Sequence, residues 1–113
     1  MDDPFTIKQV LQGGWNDAPF EPFREGIEIC HLIKGEPAMA YLRYQPGATV
    51  PRHRHPGLET VYVLEGSQRD ERGLYEAGDI AFNTEGSEHS VVSDHGCVVL
   101  IQWARPIEFL DAE

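Results

Sequence analysis

Seven turn signals cut this chain into apolar stretches too short for helices. They are Lys34-Gly35-Glu36-Pro37, Gln45-Pro46-Gly47, Pro56-Gly57, Glu65-Gly66, Ala77-Gly78-Asp79, Glu85-Gly86-Ser87 and Asp94-His95-Gly96. Glycine permits positive φ, and proline fixes φ and removes an N–H donor, so each cluster ends the run before it. Between them lie runs of strand composition: Gly26 to Ile33, Ala38 to Tyr44, Glu59 to Leu64, Asp79 to Phe82, His89 to Val92 and Cys97 to Trp103. No segment carries a helical apolar stripe over three turns. Short strands at even spacing predict an all-β sandwich or small barrel.

The run Cys97-Val98-Val99-Leu100-Ile101-Gln102-Trp103 is apolar on both faces. One face packs inside a barrel; the other needs a second sheet, the N-terminal stretch Phe5 to Leu11, or a partner subunit. A homodimer is the expectation from such doubly apolar strands. With 113 residues there is room for one domain. Residues 1–26 are expected as an arm packed on the barrel and residues 27–113 as the barrel itself. Gly13 to Gly26, rich in Gly, Pro and aromatics (Trp15, Phe20, Phe23), reads as irregular chain rather than strand.

The formal charge is −10. Such a surface repels nucleic acid phosphates and anionic membranes, so neither is an expected partner. The start, Met1-Asp2-Asp3-Pro4, is acidic where a signal peptide is basic. No apolar run approaches the roughly 20 residues of a membrane span. Cys30 and Cys97 form no paired motif and fit a reducing compartment. A cytoplasmic location is the expectation.

The chemistry concentrates in Gly47-x5-His53-x-His55-x3-Glu59-x6-Gly66, followed by His89 after the Gly78 to Gly86 segment. On a strand, His53 and His55 share a face because side chains alternate. Glu59 on a strand pairing back, and His89 on a later one, complete three nitrogens and one oxygen. That set suits Fe(II), Mn(II), Ni(II), Cu(II) or Zn(II) with one or two positions open. Mixed His/carboxylate shells with vacancies belong more to catalytic than to structural sites. A dication there leaves about one positive charge to draw an anionic or chelating oxygen. Arg43, on an apolar strand, would anchor a substrate carboxylate or enolate if it points inward; the alternative is an outward salt bridge. His31 and His95 read as surface residues, Cys30 and Cys97 as inert buried thiols. Met39, Tyr41, Phe82 and Trp103 read as core or pocket wall. Arg69-Asp70-Glu71-Arg72 reads as a hairpin tip.

The stretch Gly47 to Gly66 resembles the first cupin motif at every defining position. Gly78 to Ser93 resembles the second, with Thr84 where the family usually has proline and Ser93 where it usually has asparagine. The match tightens toward ChrR-like cupins through HRHPGLETVYVLEG (His53 to Gly66), the Asp70 to Gly78 segment and Gly96-Cys97. The same segments are similar to small cupin dioxygenases that cleave dihydroxyacetophenone or β-diketones. The resemblance implies an RmlC-like jelly-roll (double-stranded β-helix) barrel holding a divalent metal through His53, His55, Glu59 and His89. It does not imply the anti-sigma activity of ChrR, which needs a separate N-terminal helical domain for which 113 residues leave no room.

The leading functional expectation is an Fe(II) dioxygenase acting on a small ketone, diketone or hydroxyaromatic ketone. The alternatives are a non-catalytic sensor or regulatory module binding metal or a small ligand, and a metal-dependent isomerase or lyase. No Ser-His-Asp set or separate nucleophile is present, so the metal carries the reaction in each catalytic reading.

Overall fold

The computed structural model describes residues 3–110, so the outermost ends of the expected arm and barrel lie outside the described residues. Ten strands form: β1 (Glu21–Arg24), β2 (Ile27–Ile33), β3 (Ala38–Tyr44), β4 (Ala48–Arg54), β5 (Glu59–Asp70), β6 (Gly73–Glu76), β7 (Ile80–Asn83), β8 (Glu88–Ser93), β9 (Cys97–Trp103) and β10 (Glu108–Phe109). The spatial order is β1-β2-β3-β9-β5-β8-β4-β10, with β6 and β7 also paired to β5. Every pairing is antiparallel. The fold is the expected cupin jelly roll, and no described helix is long and apolar enough to cross a membrane.

Strand β5 belongs to both layers. Its first half pairs with β9 and β7, and its end pairs with β6 and reaches β8. The change of layer falls where the β9 ladder slips, between Val63 and Glu65, just before Gly66. Gly66 has φ 74°, and a Cβ there would lie 2.1 Å from the Gly96 carbonyl oxygen. No other residue type fits that crossing.

Alternation sorts the apolar residues onto two faces. Ile27, Leu42, Val61, Val99 and Ile101 belong to the barrel interior. Cys30, Tyr41 and Val98 point outward, where Trp15 covers them with Phe20 and Leu100 at its edge. Two short 3-10 turns, Val10–Gln12 and Gly14–Asp17, set Trp15 in place. The second apolar face is thus capped by the N-terminal stretch, chiefly by Trp15 rather than by Phe5 to Leu11. Burying a large side chain there is worth about 1.5–3 kcal/mol.

Three strands are absent from the sequence reading, and a fourth, β4, is read there only around His53 and His55. β1 lies inside the stretch expected to be irregular; its Glu-Pro-Phe-Arg has little strand character, but an edge position tolerates proline. β4 contains Pro51, and β6 and β10 are too short to stand out. The hairpin read at Asp70 is present, closing with Asp70 opposite Gly73.

Candidate metal centre

His53 reaches the interior through an irregularity in β4. Ala48 and Val50 face inward, so simple alternation would send Arg52 inward next. The β4–β8 register slips between Val50 and His53: three residues of β4 oppose two of β8. Proline at position 51 suits such a bulge because it has no N–H to offer the ladder. Beyond it His53 and His55 are buried, while Arg52 is exposed and pairs with Glu71. His89 stands directly across from His53 in the ladder. Glu59 opens β5 after the Pro56-Gly57 turn, opposite Asn83 on β7 and Trp103 on β9.

The structure brings together all four candidate ligands. One ligand atom from each of His53, His55, Glu59 and His89 lies within 4.8 Å of the others, and every one of these residues is buried. Each histidine has its Nδ1 occupied. His53 Nδ1 donates to the Pro51 carbonyl at 2.9 Å. His55 Nδ1 lies 2.9 Å from the Ser87 carbonyl and 3.0 Å from its hydroxyl. His89 Nδ1 donates to Asp70 Oδ2 at 2.8 Å. With acceptors at Nδ1, the proton sits there and Nε2 presents a lone pair.

Those lone pairs face one another. His53 Nε2 and His89 Nε2 are 3.1 Å apart. His55 Nε2 is buried with no hydrogen-bond partner assigned among the described residues, and Glu59 Oε1 lies 3.3 Å from it. Converging lone pairs beside a carboxylate repel unless a cation sits among them, so the donor set fits a divalent metal. Burial pushes the His53 imidazole below its ordinary value, and His89 and His55 add to that. Burial alone would raise the Glu59 carboxyl, but His55, His53 and the Asn83 amide hold it below the usual range. Asp70 behaves alike: burial pushes it up, while His89, the Arg72 backbone N–H and Tyr75 bring it below.

Beside the ligands is a cavity of about 100 Å³, walled by apolar side chains such as Leu42, Val61 and Ile101. Gln68 and Tyr44 also line it, and burial pushes the Tyr44 phenol well up, so it stays neutral. Phe23 and Phe109, both about half exposed, stand at its rim, the latter paired with His53 across β10 and β4. Trp103 lines it too, and its indole Nε1 is buried with no partner among the described residues. Space of this size takes one small molecule or several waters.

Arg43 lies elsewhere. It is on the outer face of β3, ion-paired with Glu28 at 2.7 Å and stacked 4.0 Å over the Phe20 ring, so it does not line the cavity. Cys97 packs in the interior near Gln68, and Cys30 in the outer cluster. Phe82 is 59% exposed and is neither core nor wall. Thr84, standing where proline is usual, still supports the loop: its carbonyl accepts from Ser87 N–H and Oγ–H, which aims Ser87 at His55. Asp70, Arg72 and Asn83 are missed by sequence reasoning, as are the rim residues Phe23 and Phe109. Alternation from Glu59, Val61 and Val63 leads to Arg69 rather than Asp70; only the slip between Val63 and Glu65 brings Gln68 and Asp70 inward.

Comparison with known proteins places this geometry. The chain matches the ChrR cupin-like domain family over residues 9–105. The anti-sigma-E factor ChrR of Cereibacter sphaeroides is 38% identical over 109 residues, covering 94% of this chain and 51% of that protein. The chain therefore spans about half the length of the curated relative it matches. The crystal structure of Rhodobacter sphaeroides SigE in complex with the anti-sigma ChrR matches at TM-score 0.72 and 32% identity, over 77% of this chain and 50% of the other. An acetylacetone dioxygenase from Acinetobacter johnsonii matches at TM-score 0.81 over 99% of this chain and 80% of its own; at 17% identity the likeness is one of fold.

Proposed function

The chain belongs to the ChrR cupin-like domain family, and on that premise we propose that it is a metal-binding cupin with Fe(II)-dependent dioxygenase activity toward a small ketone, diketone or hydroxyaromatic ketone. The observation that carries the metal reading is the convergence of three imidazole Nε2 atoms on the Glu59 carboxylate with every Nδ1 tied to an acceptor. His53, His55, His89 and Glu59 would hold the ion. Bound there, Fe(II) supplies Lewis acidity toward a substrate oxygen and one-electron chemistry with dioxygen.

The remaining residues bind, orient and exclude. The unpartnered Trp103 indole N–H offers a hydrogen bond to a ligand oxygen, from a position opposite Glu59 in the β5–β9 ladder. The apolar walls keep bulk water from a reactive intermediate. Phe23 and Phe109 at the rim would offer aromatic surface to an entering molecule. The test is oxygen uptake by the iron-loaded protein across a panel of β-diketones and hydroxyketones. Uptake lost in His53→Ala supports the proposal; no uptake with any substrate contradicts it.

A second reading is a regulatory module that binds metal without turnover. It is favoured by the relative that is an anti-sigma factor and by a structure of ChrR with SigE. Under it, metal occupancy changes affinity for a dedicated protein partner, and iron-loaded protein consumes no oxygen. A homodimer would bury the exposed Phe5, Ile7 and Ile33 on the outer side of the sheet.

A further inference from the structure

The hairpin between β5 and β6 carries four charged residues with different duties. The Asp70 side chain is 3% exposed, although it stands at the hairpin. It accepts from His89 Nδ1 at 2.8 Å and from the Tyr75 hydroxyl at 2.9 Å. Arg72 donates to it twice, from the backbone N–H to Oδ1 at 2.8 Å and from Nη2 to Oδ2 at 3.2 Å. The same Arg72 Nη2 donates to Asn83 Oδ1. Asn83, 1% exposed, passes the link on by donating Nδ2 to Glu59 Oε1 at 2.8 Å. A continuous chain therefore runs His89–Asp70–Arg72–Asn83–Glu59. It joins ligands on two strands, β8 and β5, through one half-exposed guanidinium.

The polarity of this chain admits one arrangement. A guanidinium only donates and a carboxylate only accepts. Asn83 must turn its oxygen to Arg72 and its amino group to Glu59; the flipped amide would set oxygen against carboxylate. Without Arg72 the buried Asn83 oxygen loses its partner, and Asp70 loses the cation that balances it. A buried acceptor left unpaired drives rearrangement of its neighbours.

We infer that Arg72 is a positioning residue for the metal centre, acting on His89 through Asp70 and on Glu59 through Asn83. The inference rests on the metal-binding reading above. Its sign separates it from simple electrostatics. Removing a cation near a dication site tightens binding by Coulomb's law, whereas loss of ligand orientation weakens it. Arg69, in the same hairpin, provides the control: its side chain pairs with Asp94 at 2.7 and 3.1 Å and, among the described residues, hydrogen-bonds neither a candidate ligand nor Asp70 or Asn83.

The experiment adds Co(II) to metal-free wild type, Arg72→Met, Arg72→Lys and Arg69→Met. It reads the dissociation constant by chelator competition, the visible d–d bands, and the thermal melt of the metal-free forms. Arg72→Met is expected to weaken Co(II) binding about tenfold or more with shifted bands, the usual range for a group that orients a ligand. Arg72→Lys, which keeps the charge but not the planar fork, falls between. Arg69→Met matches wild type within about twofold, as for a solvated ion pair. Arg72→Met binding as tightly as wild type, or more tightly, with unchanged bands overturns the inference. So does loss of a cooperative melt in Arg72→Met, which would make Arg72 a residue of the fold. If wild type takes up no cobalt, the metal reading falls and this inference with it; if wild type binds and Arg72→Met equals it, only this inference falls.

Discussion

Two buried clusters lie on either side of the β2–β3–β9 layer, and they are built differently. Outside, Trp15, Cys30, Tyr41 and Val98 hold together by packing, and the Tyr41 hydroxyl there has no hydrogen-bond partner among the described residues. Inside, beyond the apolar core, His53, His55, His89 and Glu59 are held by directed hydrogen bonds, with each Nδ1 assigned an acceptor. The outer cluster buries area and tolerates an unmade bond. The inner one leaves unpaired lone pairs where a cation fits. The contrast predicts that stability and metal binding are separable: loss of the Trp15 packing should weaken the fold, and changes in the ring should leave the chain folded.

The sharpest way to break that comparison is to remove metal. A ligand at a thousand times its dissociation constant stabilises by about 4 kcal/mol, so chelation should lower the melting temperature of loaded protein by roughly 15 °C or more. The chelated protein should still melt cooperatively, because both apolar clusters remain; calorimetry checks this. Next is Trp15→Ala, expected to cost about 3 kcal/mol while the folded protein binds metal with unchanged stoichiometry. A loss of metal affinity in folded Trp15→Ala would show that the clusters are not independent.

A pH titration gives a smaller effect and is specific to the ring. Burial and the neighbouring imidazoles hold His53 below the ordinary 6.5. Between its folded value and 6.5 the unfolded chain binds a proton that the folded one does not. Metal-free stability should therefore fall as pH drops through that window, by at most about 1.4 kcal/mol per pH unit. In the outer cluster burial raises the Cys30 thiol and the Tyr41 phenol, so neither titrates there. His53→Ala should flatten the slope, as thermal melts across the range would show. The smallest effect is expected for Arg43→Met. Its partly exposed pair with Glu28 is worth about 0.2–1 kcal/mol. Metal content and oxygen uptake should not change, because Arg43 faces away from the cavity.

The four candidate ligands, His53, His55, Glu59 and His89, were legible as a set through motif spacing. The β4 bulge was not: alternation from Val50 points to Arg52, and only the ladder slip at Pro51 turns His53 inward. Asp70 was hidden by composition, since an acid flanked by Arg69, Glu71 and Arg72 looks like a solvated tip. Its burial follows from β5 crossing between layers at Gly66, which depends on the distant Gly96. Asn83 is hidden by sequence distance: its partners Arg72 and Glu59 lie 11 and 24 positions away, and pairing of β7 with β5 sets it opposite Glu59. Arg43 shows the reverse case: Leu42 and Tyr44 take the inward parity of β3, so Arg43 points outward, where it meets Glu28 and Phe20.

The central claim is that the inner ring is a metal site. The direct measurement is the metal content of untagged, gently purified protein by mass spectrometry, beside Glu59→Ala prepared identically. The account predicts a near-stoichiometric divalent metal, iron foremost, in the wild type and its loss in a variant that remains folded. Equal metal in both proteins, or none in the wild type even after reconstitution, would contradict it.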